Sequence, residues 1–255
     1  MVVKAERQKQ ILEAIRKDRK VTLTELSERF GVSEITTRRD LKALEDQGFV
    51  ELAHGGLVYL SEKPTEPPII KRQQEQQEAK IKIGKAAAAL VEEGESVFIG
   101  SGSTAMFVAR YLKNRAGLTI VTNALSVINE LAPYQDLNVI VLGGMLRPTE
   151  LSMIGHITQQ SLREVRVDKV IFGIRGIDIE AGLTNDYMPE ILTDRAVLDM
   201  GSRVILVADH TKLGRIASAF VAPISRISTL VTDENANPEF LEAIRSKGIE
   251  VIVAT

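Results

Sequence analysis

The chain has 255 residues, 44% hydrophobic and 26% charged, with a formal net charge of −2 and no cysteine. That length can bury one large core and a small satellite domain. The lack of cysteine excludes a disulfide framework, and His54, His156 and His210 lie too far apart for a recognisable zinc pattern, so neither a metal nor another cofactor is expected. No stretch approaches the roughly 18 consecutive apolar residues of a membrane helix. The opening MVVKAERQKQ lacks the apolar segment of an export signal, which makes the cytoplasm the expected compartment. Near-neutral charge excludes binding to nucleic acid through bulk positive potential. Residues 1–60 hold 11 Lys or Arg against 10 Asp or Glu, so any phosphate contacts there must come from a locally sorted face.

In chain order, residues 4–17 place Ile11, Leu12 and Ile15 on one side of a charged segment, the pattern of an amphipathic helix. A second helix starts at Thr22, where Glu25 three residues on completes a capping box. Its apolar side is Leu23, Leu26 and Phe30. Gly31 supplies a tight turn, and Ser33 caps a third helix that runs to a glycine stop at Gly48. On that helix Thr37, Leu41 and Leu44 share the face that meets a core, at spacings of four and three residues. The opposite face collects Ile35, Arg38, Arg39 and Lys42. The cations suit phosphates or guanine edges, and Ile35 suits thymine methyls in a major groove. A solvated charged face is the alternative. FVEL and LVYL, separated by a turn at His54-Gly55-Gly56, read as the two strands of a wing. The candidate DNA contacts are Thr22, Ser33, Ile35, Thr36, Arg38, Arg39, Lys42 and His54.

The segment VSEITTRRDLKALEDQGFVELAHGG resembles the N-terminal signature of DeoR-family bacterial regulators, and the likeness covers the first 58 residues. It implies that the third helix reads operator DNA. One departure is Thr37, where the family usually carries an aliphatic residue; its methyl is expected to fill part of that space.

SEKPTEPPII, residues 61–70, holds three prolines and reads as an extended linker. The expected division is a winged helix-turn-helix at 1–58, a linker and the start of a connecting helix at 59–78, and an α/β domain at 79–255. A glutamine-rich helix is expected from near Lys71. Beyond Ser96, seven apolar runs (SVFIG, LTIVT, LNVIVL, KVIFG, RVILVA, ISTLVT and IEVIVA) alternate with helical stretches. This predicts a mostly parallel sheet with helices on both faces, whose ligands bind at the carboxyl ends of strands.

Polar clusters come directly after those ends. Gly100-Ser101-Gly102-Ser103-Thr104 stands between a strand and a helix, and is either a phosphate cradle or an ordinary turn. It lacks the further glycine of a dinucleotide fingerprint and the Gly-Lys-Ser/Thr of a Walker loop. Thr122 and Asn123, then Gly143 and Gly144, then Arg175, Gly176 and Asp178, and finally Asp209 and Lys212 stand after later strands. Asn123 and Asp209 also serve as reasonable helix caps.

Through GSGST, VTN, LGG, FGIRGID and ADHTKLG, residues 79–255 resemble the DeoR-family sensor domain, which is similar to pentose-phosphate isomerases. The resemblance implies a phosphorylated sugar or related effector, with Ser101, Gly102, Ser103 and Thr104 on the phosphate, Lys212 as a nearby cation, and Asp178 and Asp209 accepting sugar hydroxyls. Many relatives have Asp where this chain has Gly100. The expected function is a transcriptional regulator, in the main a repressor, that acts as a homo-oligomer and is not an enzyme. The alternative, a sugar-phosphate isomerase fused to a DNA-binding module, would need a base among Glu190, Asp178 and Asp209, and the acidic run of the isomerases is missing.

Overall fold

The computed structural model describes residues 4–18, 20–45, 50–52, 57–60 and 67–255. They form two compact units, Met1–Pro68 and Ile69–Thr255. Residues 69–78, expected as connector, thus fold with the second unit.

The first unit runs α1 (Lys4–Asp18), β1 (Lys20–Thr22), α2 (Leu23–Phe30), α3 (Glu34–Glu45), β2 (Val50–Leu52) and β3 (Leu57–Leu60). The capping box forms: Thr22 Oγ1 accepts from Glu25 N at 3.2 Å, and Thr22 N donates to Glu25 Oε2 at 2.7 Å. Ile11, Ile15, Leu26, Leu41 and Leu44 bury together with Val21, Val50 and Val58. Burying one such side chain stabilises the fold by about 1.5–3 kcal/mol. β3 lies antiparallel between β1 and β2, so the wing strands are joined by a third, too short to show a period of two in sequence. Thr37 is fully buried, and its hydroxyl, 3.1 Å from Ser27 Oγ, links α2 to α3. An aliphatic residue there would remove that link. The apolar stripe also includes a charge: Asp40 is buried and paired with Arg7 of α1 at 2.6 Å.

The second unit opens with α4 (Ile69–Gln74) and α5 (Gln77–Ala88). The single helix expected from Lys71 is in fact two, broken where Gln76 adopts a left-handed φ of 50°. Next come β4 (Ser96–Ile99), α6 (Ser103–Leu112), β5 (Thr119–Thr122), α7 (Leu125–Leu131), β6 (Asn138–Val141), β7 (Met145–Arg147), β8 (Ser152–Ile154), α8 (His156–Glu164) and β9 (Val167–Phe172). The rest is β10 (Gly176–Asp178), β11 (Gly182–Asn185), α9 (Ile191–Leu198), β12 (Gly201–Val207), β13 (Ala219–Ala222), β14 (Thr229–Asp233), α10 (Pro238–Ser246) and β15 (Glu250–Ala254). Among these described helices none is long and apolar enough to cross a membrane.

The seven apolar runs are the seven strands of one parallel sheet, ordered β15-β14-β12-β9-β4-β5-β6. Alternate residues serve two cores. Phe98, Val170, Phe172, Val204 and Leu206 face Leu162 of α8, Val197 and Leu198 of α9, and Leu241 of α10. Val97, Ile99, Ile171, Ile205 and Val207 face Ile83 of α5, Val108 and Leu112 of α6, and Val127 of α7. Two small additions carry no such apolar pattern: the β7–β8 hairpin and the antiparallel sheet β10-β11-β13. The strand order reverses between β4 and β9. After β4 the chain moves outward to β5 and β6, then returns to place β9 on the other side of β4. In open α/β sheets the loops at such a reversal diverge and leave a crevice for ligand.

Candidate functional sites

On the first unit, α3 turns Thr37, Asp40, Leu41 and Leu44 inward. Outside, Ile35 is 69% exposed and lines an open hollow with Glu34, Arg38, Arg39 and Lys42. An exposed isoleucine among cations has no core to enter, which matches the expected sorting. Three other candidates have local structural work. Thr22 caps α2, Ser33 Oγ accepts from Thr36 N at 3.3 Å, and Ser33 Oγ and Thr36 Oγ1 lie 3.0 Å apart. These hydroxyls are therefore engaged in caps rather than held ready for DNA. Lys42 makes an exposed ion pair with Glu45 at 2.7 Å, a bond of little net worth that a phosphate can replace. His54 lies outside the described residues.

On the second unit, the loop after β4 stands at the reversal of strand order. Gly100 N still donates to Ile171 O at 2.9 Å, continuing the sheet. Gly102 then takes φ 123°, a conformation that side chains resist, and becomes the N-cap of α6 without any side chain accepting from the helix's first turn. Ser103 and Thr104 are 6% and 8% exposed, and among the described residues neither hydroxyl has a hydrogen-bond partner. Free amides, hydroxyls and the positive end of the helix dipole together suit an anion. The loop leaving β9 lies against them: a Cβ on Gly173 would come within 3.6 Å of Ser101 O.

Cations gather around this edge from several elements. Lys212 stands after β12 on a short turn held by His210, whose N and Nδ1 lie 2.7 and 2.8 Å from the carboxylate of Asp233. Burial pushes the Lys212 amine below its ordinary range; Asp209 opposes that shift, while Arg175, Arg215 and Arg72 reinforce it. Lys80 is 3% exposed and donates to the carbonyls of Arg72 and Glu75, bridging the break between α4 and α5. Desolvation lowers its pKa to about 8, against the pull of Asp209 and with help from Lys212. Arg72 pairs with Glu150, and Arg175 and Arg215 share Asp186 at 3.4 and 2.8 Å. Five cations thus share the region with Glu150, Asp186 and Asp209. Sequence reading found Arg175 and Lys212 but missed Arg72, Lys80, Glu150 and Arg215, because none of these four stands directly after a strand of the parallel sheet.

Other expected contacts fall elsewhere or are engaged. Asp178 Oδ1 accepts from Glu180 N and Ala181 N, at 2.9 and 2.8 Å, and so closes the β10–β11 turn. Asp209 caps its own turn through Thr211 N at 3.0 Å. Gly143 and Gly144 serve packing: Thr158 Oγ1 donates to Gly143 O at 2.9 Å, and a Cβ on Gly144 would collide with that hydroxyl. Thr122 Oγ1 is likewise engaged, donating to Ile99 O at 2.7 Å. Asn123 ties β5 to Met153 by two bonds of 2.8 and 2.7 Å, yet its Oδ1 is buried without a partner. Gly100 has room for a Cβ in ordinary contact with Phe172 and Phe98. The carboxylate of Glu190 is buried against Arg147 and accepts from Ser152 Oγ at 3.1 Å.

A winged helix-turn-helix with an exposed cationic helix face, joined in one chain to an α/β unit that gathers cations near the reversal of its sheet, defines the class of DNA-binding transcriptional regulators. Residues 7–63 match the DeoR-like helix-turn-helix domain and residues 75–234 the DeoR C terminal sensor domain. The chain belongs to the DeoR family. It is 36% identical to the glycerol-3-phosphate regulon repressor of Escherichia coli (strain K12) over 223 residues, 88% of each chain. It is 31% identical to the transcriptional repressor AccR of Agrobacterium fabrum over 243 residues, 95% of this chain and 94% of that one. Among solved structures, ribose 5-phosphate isomerase A from Methanocaldococcus jannaschii matches over 55% of each chain at 19% identity and a TM-score of 0.40, a likeness too low for chemistry to transfer.

Proposed function

We propose that this chain is a cytoplasmic repressor of a carbohydrate-metabolism operon, acting as a homo-oligomer on operator DNA and released by a phosphorylated sugar or polyol. The observation that carries the effector class is the unspent Ser101–Thr104 loop at the N-terminus of α6, with Lys80, Lys212 and Arg72 gathered nearby. A phosphate dianion suits both the donors of that loop and the positive charge beside it. Asn123 Oδ1, a buried acceptor without a donor, suits a ligand hydroxyl. The repressor names of both relatives support the direction of control.

Catalysis has no place in this function. Of the carboxylates available as bases, Glu190 is paired with Arg147, and Asp178 and Asp209 accept from backbone amides of their own turns. A thermal-shift screen of the full chain against sugar phosphates tests the reading. Ligand at about 100 times its dissociation constant adds about 2.7 kcal/mol of stability, and the same compound should release operator DNA in a mobility-shift experiment. Stabilisation by no phosphorylated compound would overturn the effector class, and release by none would overturn induction.

A further inference from the structure

The buried pair of Arg72 and Glu150 stands inside the phosphate site proposed above, so any role for the pair in ligand binding rests on that reading. Both side chains are almost wholly enclosed, 9% and 6% exposed. Glu150 Oε1 lies 4.0 Å from where a Cβ on Gly102 would stand, so a carboxylate rests against the positive end of α6 while a guanidinium neutralises it from α4. The N-terminus of α6 favours an anion, and a guanidinium favours a phosphate or a carboxylate in the same geometry. The carboxylate and a phosphate dianion cannot both lie against Arg72 without strong repulsion where solvation is poor.

We propose that Glu150 is an internal surrogate for the effector's phosphate: a phosphate settling on Ser101–Thr104 takes over Arg72 and expels the carboxylate. The exchange keeps Arg72 paired throughout, which matters because a buried charge left alone is costly. It also reaches beyond the site. Thr149, the neighbour of Glu150, accepts from Ile69 N at 2.8 Å, and Ile69 begins α4, the first helix after the segment that leads out of the DNA-binding unit. Moving Glu150 therefore loosens α4 at its first amide, while Arg72 passes from the carboxylate to the phosphate. Ligands bearing a dianion should drive the exchange better than those bearing a single carboxylate.

The test uses the full chain, with inorganic phosphate as the probe, titration calorimetry for affinity and hydrogen–deuterium exchange for α4. Glu150→Gln removes the competing charge and should tighten phosphate binding by about tenfold or more. In the wild type, saturating phosphate should speed exchange across residues 69–74. The double variant Arg72→Gln with Glu150→Gln removes both charges of the pair and guards against failure of the single variant to fold; in it, phosphate should bind no more tightly than in the wild type, and α4 exchange should ignore phosphate. Ser103→Glu separates the two readings. If it abolishes phosphate binding while Glu150→Gln binds like the wild type and α4 exchange stays constant, the phosphate site stands and the surrogate is wrong. If neither the wild type nor Glu150→Gln binds phosphate, both readings fall.

Discussion

Arg38 and Arg39 stand exposed on the outer face of α3, and among the described residues neither has an ion-pair partner, so each is available for DNA at little cost. Arg38→Ala and Arg39→Ala should each weaken operator binding while leaving the melting temperature unchanged. Loss of a bidentate guanine contact costs about 1–3 kcal/mol and relaxes specificity at one base pair; loss of a phosphate contact weakens all sequences alike and flattens the salt slope by about one unit. Footprinting and salt titration tell these apart, and unchanged binding by both variants would mean another element reads the operator. Lys80 makes a prediction of the opposite kind, from burial rather than exposure. Its folded pKa of about 8 lies below the ordinary 10.5, so between those pH values the unfolded chain holds the extra proton and stability rises with pH; below pH 8 the full cost of burying the charged amine is present. Denaturant unfolding across this range should show the rise, and Lys80→Met should flatten it. An anion beside Lys80 pulls its pKa back up, so effector binding near pH 8–9 should take up a proton, read as an enthalpy that depends on the buffer.

At the level of elements, α6 has a sequence signal that is ambiguous by itself. GSGST before an amphipathic segment predicts a capped helix whether or not a ligand binds there. The reversal of strand order between β4 and β9 favours the ligand reading, because it opens the sheet at the start of α6. Ser103→Glu puts a carboxylate at the first residue of that helix, where the dipole stabilises it, so the fold should persist while phosphorylated ligands are excluded. Lys212→Ala should weaken phosphorylated ligands more than their unphosphorylated parents. Calorimetry decides both, and equal affinity in the wild type and Ser103→Glu would make the loop an ordinary turn. The division of the glutamine-rich helix into α4 and α5 was not legible: Gln76 carries no glycine or proline signal for a break, and the left-handed residue is tolerated where Lys80, four positions on, binds the carbonyls of Arg72 and Glu75.

At the scale of the whole molecule, one small winged unit of near-neutral charge offers few phosphate contacts, and a two-fold assembly on a palindromic site doubles them. Light scattering should find a dimer or larger species with and without operator DNA; a strict monomer in both would remove that expectation. The sequence by itself determined the helix-turn-helix, the outer face of α3, the seven strands of the parallel sheet and the short loop that joins β4 to α6. Each rests on periods of two or 3.6 residues, or on caps only a few residues long. Tertiary structure alone decided which strand ends come together and which polar residues remain available. Thr22, Asp178, Gly144 and Asp209 read as contacts in sequence and also hold caps, turns and packing, while Arg72, Lys80, Glu150 and Arg215 look like surface charges and gather around Lys212, Asp209 and Asp186. Such convergence depends on the order in which strands pair and on charges buried against partners as many as 78 positions away, and no local pattern records either.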